Sequence, residues 1–210
     1  MMQGIAEVYY KYASKIAMVF YLNLLWILFS CLGLVVLGIA PATAVLYKLS
    51  AKVLAGEEFS VFNTYLIEYK ACFMKANLLV GLLLAVLYGL LVQYQILIMY
   101  NSLYYLIARY IILGFLLVYL MGTVFIFPLF AKHSALSIKD LLKWSFIYSV
   151  GQPIFTFATL IGLSAINWGI INFLPTLLIF VGVSLNVFIQ QWFVGKRLVY
   201  VNQKLAAKVK

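Results

Sequence analysis

The feature that most constrains this chain is the length of its stretches without a charged residue. No Asp, Glu, Lys or Arg occurs from Ile16 to Tyr47, from Ala76 to Ala108, or from Trp144 to Gly195. Hydrophobic residues make up 67% of the chain and charged residues only 10%, against about a quarter charged in soluble domains. About 20 apolar residues suffice for a helix to cross a bilayer. The sequence therefore predicts an all-α, polytopic membrane helix bundle that forms a single domain over residues 1–210.

The first charge-free stretch has an awkward length. Its 32 residues are too many for one span and too few for two spans with a turn. Gly33, Gly38 and Pro41 offer a break, so we expect one span over about 17–38. Pro41 then suits the first turn of the next helix, where a missing N–H costs little. A re-entrant hairpin, which enters the membrane and returns, is the alternative.

Two amphipathic helices are expected after this break. In the first, over about 42–55, apolar residues recur at helical spacing, and Lys48 and Lys52 lie on another face. In the second, over about 60–75, the expected stripe consists of Phe62, Leu66, Tyr69 and Phe73. Aromatic residues flanked by lysines are typical of helices in the headgroup region. We therefore expect both helices at the cytoplasmic surface of the membrane.

The remaining apolar stretches predict four more spans. They are expected over about 77–99, 110–130, 145–166 and 170–194. A turn at Asn167–Trp168–Gly169 joins the last two spans, and a basic tail over 196–210 follows. About five transmembrane helices result.

The distribution of basic residues predicts the orientation, because cytoplasmic loops are enriched in Lys and Arg. With five spans, one side of the membrane carries Lys11, Lys15 and Arg109. The other side carries twelve basic residues: Lys48, Lys52, Lys70, Lys75, Lys132, Lys139, Lys143, Lys196, Arg197, Lys204, Lys208 and Lys210. We therefore expect a multi-pass protein of the cell membrane with its C-terminus in the cytoplasm and its N-terminus outside.

The hairpin alternative moves Lys11 and Lys15 to the cytoplasmic side, so charge slightly prefers it, whereas segment length disfavours it. A sequence pattern that occurs twice in the chain, here called the echo, favours five spans. Pro41 and Pro128 each end an apolar run, and each is followed by a basic loop and a helix that leads into the next span. If the echo reflects structure, the first and third spans run in the same direction.

The net charge of +10 raises the question of an anionic partner. The Lys and Arg residues flank apolar runs and are not gathered in a soluble patch, which argues against nucleic acid. Their position instead predicts contact with the lipid bilayer, with anionic lipid headgroups at the basic cytoplasmic face.

The residues needed for chemistry are sparse. The chain has five acidic residues, all in termini or loops, and one histidine, His133. No arrangement typical of a catalytic triad, a zinc protease or a nucleotide-binding loop is present. We expect no enzymatic activity, no catalytic residues, no metal site and no cofactor.

The spans carry amides instead of ionisable groups. These are Asn23, Gln93, Gln95, Asn172, Asn186, Gln190 and Gln191. Amides in hydrocarbon need hydrogen-bond partners, and helix–helix contacts are their usual role. The alternative is a small transporter or permease subunit whose amides line a polar path. Asn23 is the leading candidate for a specific role, because it precedes Trp26 by one turn in the middle of a span.

One set of residues resembles a known family. The set comprises Asn23, Trp26, Gly38, Pro41, Glu57, Tyr69, Lys70, Asn77 and Pro128. Its order, an Asn-Leu-Leu-Trp run, a Gly-rich break, Pro-Ala-Thr-Ala, Gly-Glu-Glu and an aromatic helix ending near Asn77, resembles the YesL family over about residues 20–80. Members of that family are small bacterial integral membrane proteins of unknown function.

The resemblance implies a role as well as a location. Family members are often encoded beside carbohydrate uptake systems and sensor kinases, which implies a non-enzymatic accessory or regulatory component associated with carbohydrate uptake. A carbohydrate transport system or a sensor kinase is then the implied partner. The family has no established catalytic or ligand-binding residues to carry over.

Overall fold

The structure is a computed structural model that describes residues 2–173, 176 and 178–208, with side chains described for 13–173, 176, 180–195, 197 and 198. Within these residues the protein contains seven α-helices, one π-helical segment and no strand. The helices are α1 (Met2–Leu32), α2 (Val36–Ala55), α3 (Val61–Ile98), α4 (Leu103–Lys132), α5 (Ile138–Gly151), α6 (Pro153–Phe173) and α7 (Val183–Lys208), with the π segment at Leu178–Gly182. The prediction of an all-α bundle is confirmed.

Five helices are long and apolar enough to cross a membrane. They are the Ala13–Leu32 part of α1, then α2, α3, α4 and α6. The apolar part of α7, Phe180–Gly195, is shorter. The number of apolar helices therefore agrees with the prediction, but their boundaries do not.

The predicted helix break at Pro41 is wrong. Helix α1 ends at Leu32, and Gly33, Leu34 and Val35 form the turn to α2, so no single helix covers 17–38. The N–H of Val36 donates to the carbonyl of Leu34 at 2.7 Å, and both Leu34 and Val35 have positive φ angles, 59° and 61°. Pro41 lies inside α2.

Helix α2 is not the surface helix that the sequence predicts over 42–55. Ten of its residues are buried, and it contacts α1, α3, α4 and α7. Its two lysines explain how a basic helix can be buried: Lys48 pairs with Glu68 at 2.7 Å, and the Lys52 ammonium lies over the Phe59 ring. Since both cations have partners, they do not force α2 to the surface.

Helix α3 joins the two segments expected over 60–75 and 77–99 into one helix of 38 residues. At 1.5 Å per residue it is about 57 Å long, well beyond the hydrocarbon core of a bilayer. Its last buried residue is Leu79, and the first buried residue of α4 is Met121. Residues 80–98 and 103–120 therefore form a two-helix extension, here called the arm, whose apolar side chains are largely exposed.

The outer end of the arm is closed by polar contacts. The Arg109 guanidinium donates to the carbonyls of Leu97 at 3.0 Å and Tyr100 at 2.6 Å, which satisfies acceptors that the end of α3 leaves free. The rings of Tyr100 and Tyr105 stack beside this contact. Tyrosines at this position are typical of the end of a membrane span.

The last two helices also differ from their predicted boundaries. The expected turn at 167–169 lies inside α6. The expected span over 145–166 is divided at Gln152–Pro153, and the one over 170–194 includes the end of α6 at Phe173 and the start of α7 at Val183. Helix α5 packs along α4, where Phe146 approaches Gly122 and Tyr148 stacks on Phe125. The turn was misplaced because Asn167 and Gly169 suit a turn by composition, whereas Asn167 satisfies its amide within a helix pair.

Candidate functional site: the hairpin clamp and the polar seam

Helices α1 and α2 form a tight hairpin. A Cβ on Gly38 would lie within 2.9 Å of the Ser30 Cα and closer still to the Ser30 carbonyl, so only glycine fits this contact. Farther along the pair, Trp26 Nε1 donates to Thr43 Oγ1 at 3.0 Å. Since both contacts join positions on either side of the turn, α1 and α2 run antiparallel.

Helix α3 holds this hairpin through a group of contacts here called the hairpin clamp. The Tyr65 hydroxyl donates to the Ala42 carbonyl at 2.8 Å, and the Tyr69 hydroxyl donates to the Phe29 carbonyl at 3.0 Å. The Phe29 ring stacks on Tyr65 with centroids 4.7 Å apart. The Cys72 thiol lies 3.8 Å from the Pro41 carbonyl oxygen. Helix α3 thus binds both helices of the hairpin through their backbone carbonyls.

A second group of contacts, here called the polar seam, joins α7 to the other helices. Its members are Asn23, Tyr47, Asn167, Ser184, Asn186 and Gln190. At one end Asn23 Oδ1 accepts from the Ser184 N–H at 3.1 Å, and the Ser184 hydroxyl donates to the Val19 carbonyl at 2.8 Å. Since Asn23 is buried, this bond pairs an amide that hydrocarbon could not solvate.

At the centre of the seam, a side chain of α7 supplies a hydrogen-bond donor that α4 lacks. Pro128 has no N–H, so the carbonyl of Val124, four residues earlier, loses its helical donor. The Gln190 amide supplies that donor, with Nε2 2.7 Å from the Val124 oxygen. The same amide accepts a hydrogen bond from the Tyr47 hydroxyl. Gln190 therefore satisfies a carbonyl on α4 and a hydroxyl on α2 at once.

A similar repair occurs at the α5–α6 break. Pro153 removes the donor that would have bonded the Ser149 carbonyl. The Thr156 hydroxyl lies 3.2 Å from that oxygen and 2.9 Å from the Gln152 carbonyl oxygen. Membrane helices commonly meet the acceptors freed by proline with nearby hydroxyl groups in this way.

The third part of the seam is a reciprocal amide pair. Asn167 Nδ2 donates to Asn186 Oδ1 at 2.8 Å, and Asn186 Nδ2 donates to Asn167 Oδ1 at 2.9 Å. Both side chains border a cavity of about 370 Å³ that Thr43 and Tyr47 also line. Thr43 accepts from Trp26 and Tyr47 donates to Gln190, so the polar side chains around this cavity have partners within the bundle.

The other amides lie apart from the seam. Gln93 and Gln95 are exposed on the arm, and Asn172 donates to the Trp168 carbonyl of its own helix. Gln191 is buried beside the seam and lines a separate cavity. The seven amides therefore do not converge on one continuous path.

Acidic and metal-binding groups are dispersed. No cluster of three His, Cys, Asp or Glu residues occurs among the described residues. Glu57 and Glu58 are exposed, Glu68 pairs with Lys48, and the Asp140 carboxylate accepts from the Ser137 hydroxyl at the start of α5. Burial and the neighbouring Lys132 ammonium lower the pKa of His133, which keeps this imidazole neutral at pH 7.

The residues singled out from the sequence fall into three groups. Asn23, Trp26, Gly38, Pro41, Tyr69 and Pro128 belong to the hairpin, the clamp or the seam. Glu57 and Lys70 are exposed. The Asn77 amide donates to the Phe73 carbonyl one turn earlier in its own helix, at 2.9 Å.

Sequence reasoning missed several residues of this site. The predicted stripe on α3 contained Phe62 and Leu66, whereas the buried positions are Tyr65, Tyr69, Cys72, Ala76 and Leu79. Both sets have helical spacing, so periodicity could not choose between them. Pro128 could have predicted that a side chain bonds the Val124 carbonyl, because a proline inside a membrane helix leaves the carbonyl four residues earlier without its helical donor.

Comparison with known proteins places the chain in a family. A family model described as a protein of unknown function, DUF624, matches residues 19–94. The uncharacterized protein YteU of Bacillus subtilis is 34% identical over 167 residues, which is 79% of this chain and 73% of YteU. The chain belongs to the DUF624 family. Two further uncharacterized Bacillus subtilis proteins are similar along most of their length: YesV, at 27% identity over 90% of each chain, and YesL, at 25% identity over 89% of this chain and 88% of YesL.

The resemblance to the YesL family is thereby confirmed, and no solved structure gives a significant match. The DUF624 match begins just before Asn23 and ends within the arm. It therefore covers the hairpin, the clamp and α3 as far as residue 94, but not the parts of the seam on α4, α6 and α7. In this chain the family-defining stretch is the part that folds α1 and α2 against α3.

Proposed function

We propose that this member of the DUF624 family is a non-enzymatic protein of the cell membrane that acts as an accessory or regulatory component of a carbohydrate uptake system. The supporting observation is the closed polar seam, in which Asn23, Asn167, Asn186 and Gln190 bond to groups of the same bundle. A seam of this kind stabilises helix packing and leaves few groups for a polar substrate. The implied association with uptake systems comes from the family resemblance.

The surface of the arm also supports a role in binding a partner. Along residues 80–98 and 103–120 no residue is buried by the rest of the chain. A site formed by two long apolar helices suits contact with lipid and with helices of another membrane protein. The carbohydrate transporter or the sensor kinase implied by the family would then contribute the opposing helices.

Co-purification tests this function. We expect the full chain, tagged and extracted in mild detergent after cross-linking in native membranes, to enrich a carbohydrate transporter subunit or a sensor kinase. An unrelated membrane protein of similar size with the same tag is the control. Recovery of the chain with neither partner above that control contradicts the proposal.

A transport assay separates this function from the alternative of a small transporter. The alternative draws on the 370 Å³ cavity beside Asn167 and Asn186. Vesicles that contain only this chain are expected to take up no carbohydrate above empty vesicles. Uptake that is lost in Asn186→Leu but retained in Gln93→Leu, on the exposed arm, would instead establish the amide-lined path.

We further propose that both termini lie in the cytoplasm. Lys15 of α1 lines the same cavity as Gly56, Glu57 and Glu58, which follow α2, so the two ends of the hairpin lie on one side. Counting Lys11 and Lys15 with the cytoplasmic set gives fourteen basic residues against one, Arg109. It requires an even number of crossings, in which the shorter apolar stretch Phe180–Gly195 also crosses, and it replaces the external N-terminus that five spans require.

A reporter at residue 2 tests this orientation. We expect a reporter that is active only in the cytoplasm to give full signal there, and an impermeant label to leave residue 2 unmodified in intact cells. The same reporter in the Tyr100–Ser102 loop, at the end of the arm, is the control and should behave oppositely. External labelling of residue 2 would restore the five-span scheme.

A further inference from the structure

A second cavity lies between α1, α2 and α7 and is not part of the clamp or the seam. Its volume is about 380 Å³. It is lined by Lys15, Ala51, Leu54, Ala55, Gln191, Trp192 and Gly195. Lys15 and Trp192 are exposed, whereas Gln191 is only 7% exposed. The cavity thus combines an accessible cation and an indole with a buried amide.

The Gln191 side-chain oxygen has no hydrogen-bond partner among the residues that the structure describes. This oxygen, Oε1, is buried and accepts no hydrogen bond, a condition shared among the described side chains only by Ser30 Oγ. An unpaired buried acceptor is unfavourable, so an oxygen of this kind calls for a donor. Gly195 borders this amide: a Cβ at this position would lie 3.7 Å from Gln191 Nε2, at ordinary van der Waals contact.

The position of the cavity favours a lipid ligand. Lys15 directly precedes the charge-free stretch that begins at Ile16, where a membrane helix meets the headgroups. Tryptophan is enriched at the same depth. The remaining lining, Ala51, Leu54 and Ala55, is apolar and suits the glycerol and upper acyl portion of a lipid.

We propose that this cavity binds the headgroup of a phospholipid that combines a phosphate with a hydrogen-bond donor. The Lys15 ammonium and the Gln191 Nε2–H donate to phosphate oxygens. A headgroup hydroxyl or ammonium donates to Gln191 Oε1, the acceptor that the protein leaves unpaired. Phosphatidylglycerol and phosphatidylethanolamine carry such a donor, whereas phosphatidylcholine has the phosphate without it.

Lipid binding to the purified full chain tests this site. In detergent, with each of the three lipids added separately, native mass spectrometry counts bound lipids and thermal unfolding measures stabilisation. We expect the two donor-bearing lipids to bind about tenfold more tightly than phosphatidylcholine, the effect of one hydrogen bond to an otherwise unpaired buried acceptor. Equal binding of all three lipids overturns the proposal.

Two substitutions locate the effect and one serves as control. Lys15→Gln should weaken binding of all three lipids, and Gln191→Leu should abolish the preference over phosphatidylcholine. Lys139→Gln, on the exposed surface at the start of α5, removes the same charge and should change neither. If Gln191→Leu keeps the preference, or if Lys139→Gln loses it, the site is not the one described.

Stability without lipid distinguishes a ligand site from a structural role. Gln191→Leu removes an unpaired buried acceptor, so in lipid-free detergent we expect its unfolding midpoint to be at or above that of the wild type. A lower midpoint would mean that Gln191 serves the fold alone and would refute the site. Glycerol phosphate in solution should not reproduce the stabilisation; if it does so fully, the ligand is a free anion and not a lipid.

Discussion

Gly38→Val is expected to prevent the α1–α2 hairpin from closing. The backbone of Ser30 occupies the space that a side chain on Gly38 needs, and backbone atoms cannot move aside as a flexible side chain does. Overpacking of a core usually costs about 1–3 kcal/mol, and we expect this substitution to reach or exceed the upper end. The expected result is loss of the monodisperse peak in size-exclusion chromatography and a large drop in the midpoint of thermal unfolding.

Gly81→Val provides the matched control. A Cβ at Gly81, on the arm, meets no atom within 4 Å, and the substitution makes the same chemical change in another apolar helix. We expect it to fold with a midpoint close to that of the wild type. If Gly38→Val behaves like Gly81→Val, the close contact between α1 and α2 does not exist in the membrane.

Gln190→Leu is expected to destabilise the bundle by about 2–4 kcal/mol, because two buried groups each lose a hydrogen bond worth about 1–3 kcal/mol when left unpaired. These groups are the Tyr47 hydroxyl and the Val124 carbonyl. Leucine is close to glutamine in size, so the change removes the polar contacts without opening a large cavity. Chemical denaturation of the purified protein measures the loss.

Two double variants, each combining Gln190→Leu with one further substitution, show how much of the lost stability comes from each unpaired group. Pro128→Ala gives residue 128 an N–H that bonds the Val124 carbonyl, so in the Gln190→Leu background it should restore about 1 kcal/mol. Tyr47→Phe removes the other unpaired group and should restore a similar amount in the same background. Neither rescue should occur with Gln190 present. A Pro128→Ala change that is equally stabilising in both backgrounds would show that Gln190 does not serve the Val124 carbonyl.

The class of fold could be read from the sequence, because apolar stretches of sufficient length have few other structures open to them. The arm is the clearest case: Arg109 is its one charged residue, and its two helices largely coincide with the spans predicted over 77–99 and 110–130. Boundaries failed where a decision depended on contacts far apart in the chain. Gly33 and Gly38 were recognised as a break, but only the Ser30 backbone opposite Gly38 shows that the chain turns back at Val35.

The candidate site could be predicted only in part, because its contacts also join residues far apart in the chain. Composition identified amides as the polar groups of the spans, and among them Asn23, which lies in the seam. It could not pair Gln190 with Tyr47, which lies 143 residues away in the chain. Helix α2 is buried, but it was predicted at the surface because its lysines were expected to need contact with water. Their partners, Glu68 and the Phe59 ring, belong to the segments that follow it.

The seam has a consequence for the order of events during synthesis. Its acceptors and hydroxyls on α1, α2 and α4 emerge from the ribosome well before α7, the helix that carries Ser184, Asn186 and Gln190. Until α7 has been made, the Asn23 amide lacks the Ser184 N–H, and the Tyr47 hydroxyl and the Val124 carbonyl lack the Gln190 amide. The helices made earlier must therefore remain unpacked, or be held by the insertion machinery, until α7 is added. A chain truncated before α7 should be recognised as unfinished and degraded.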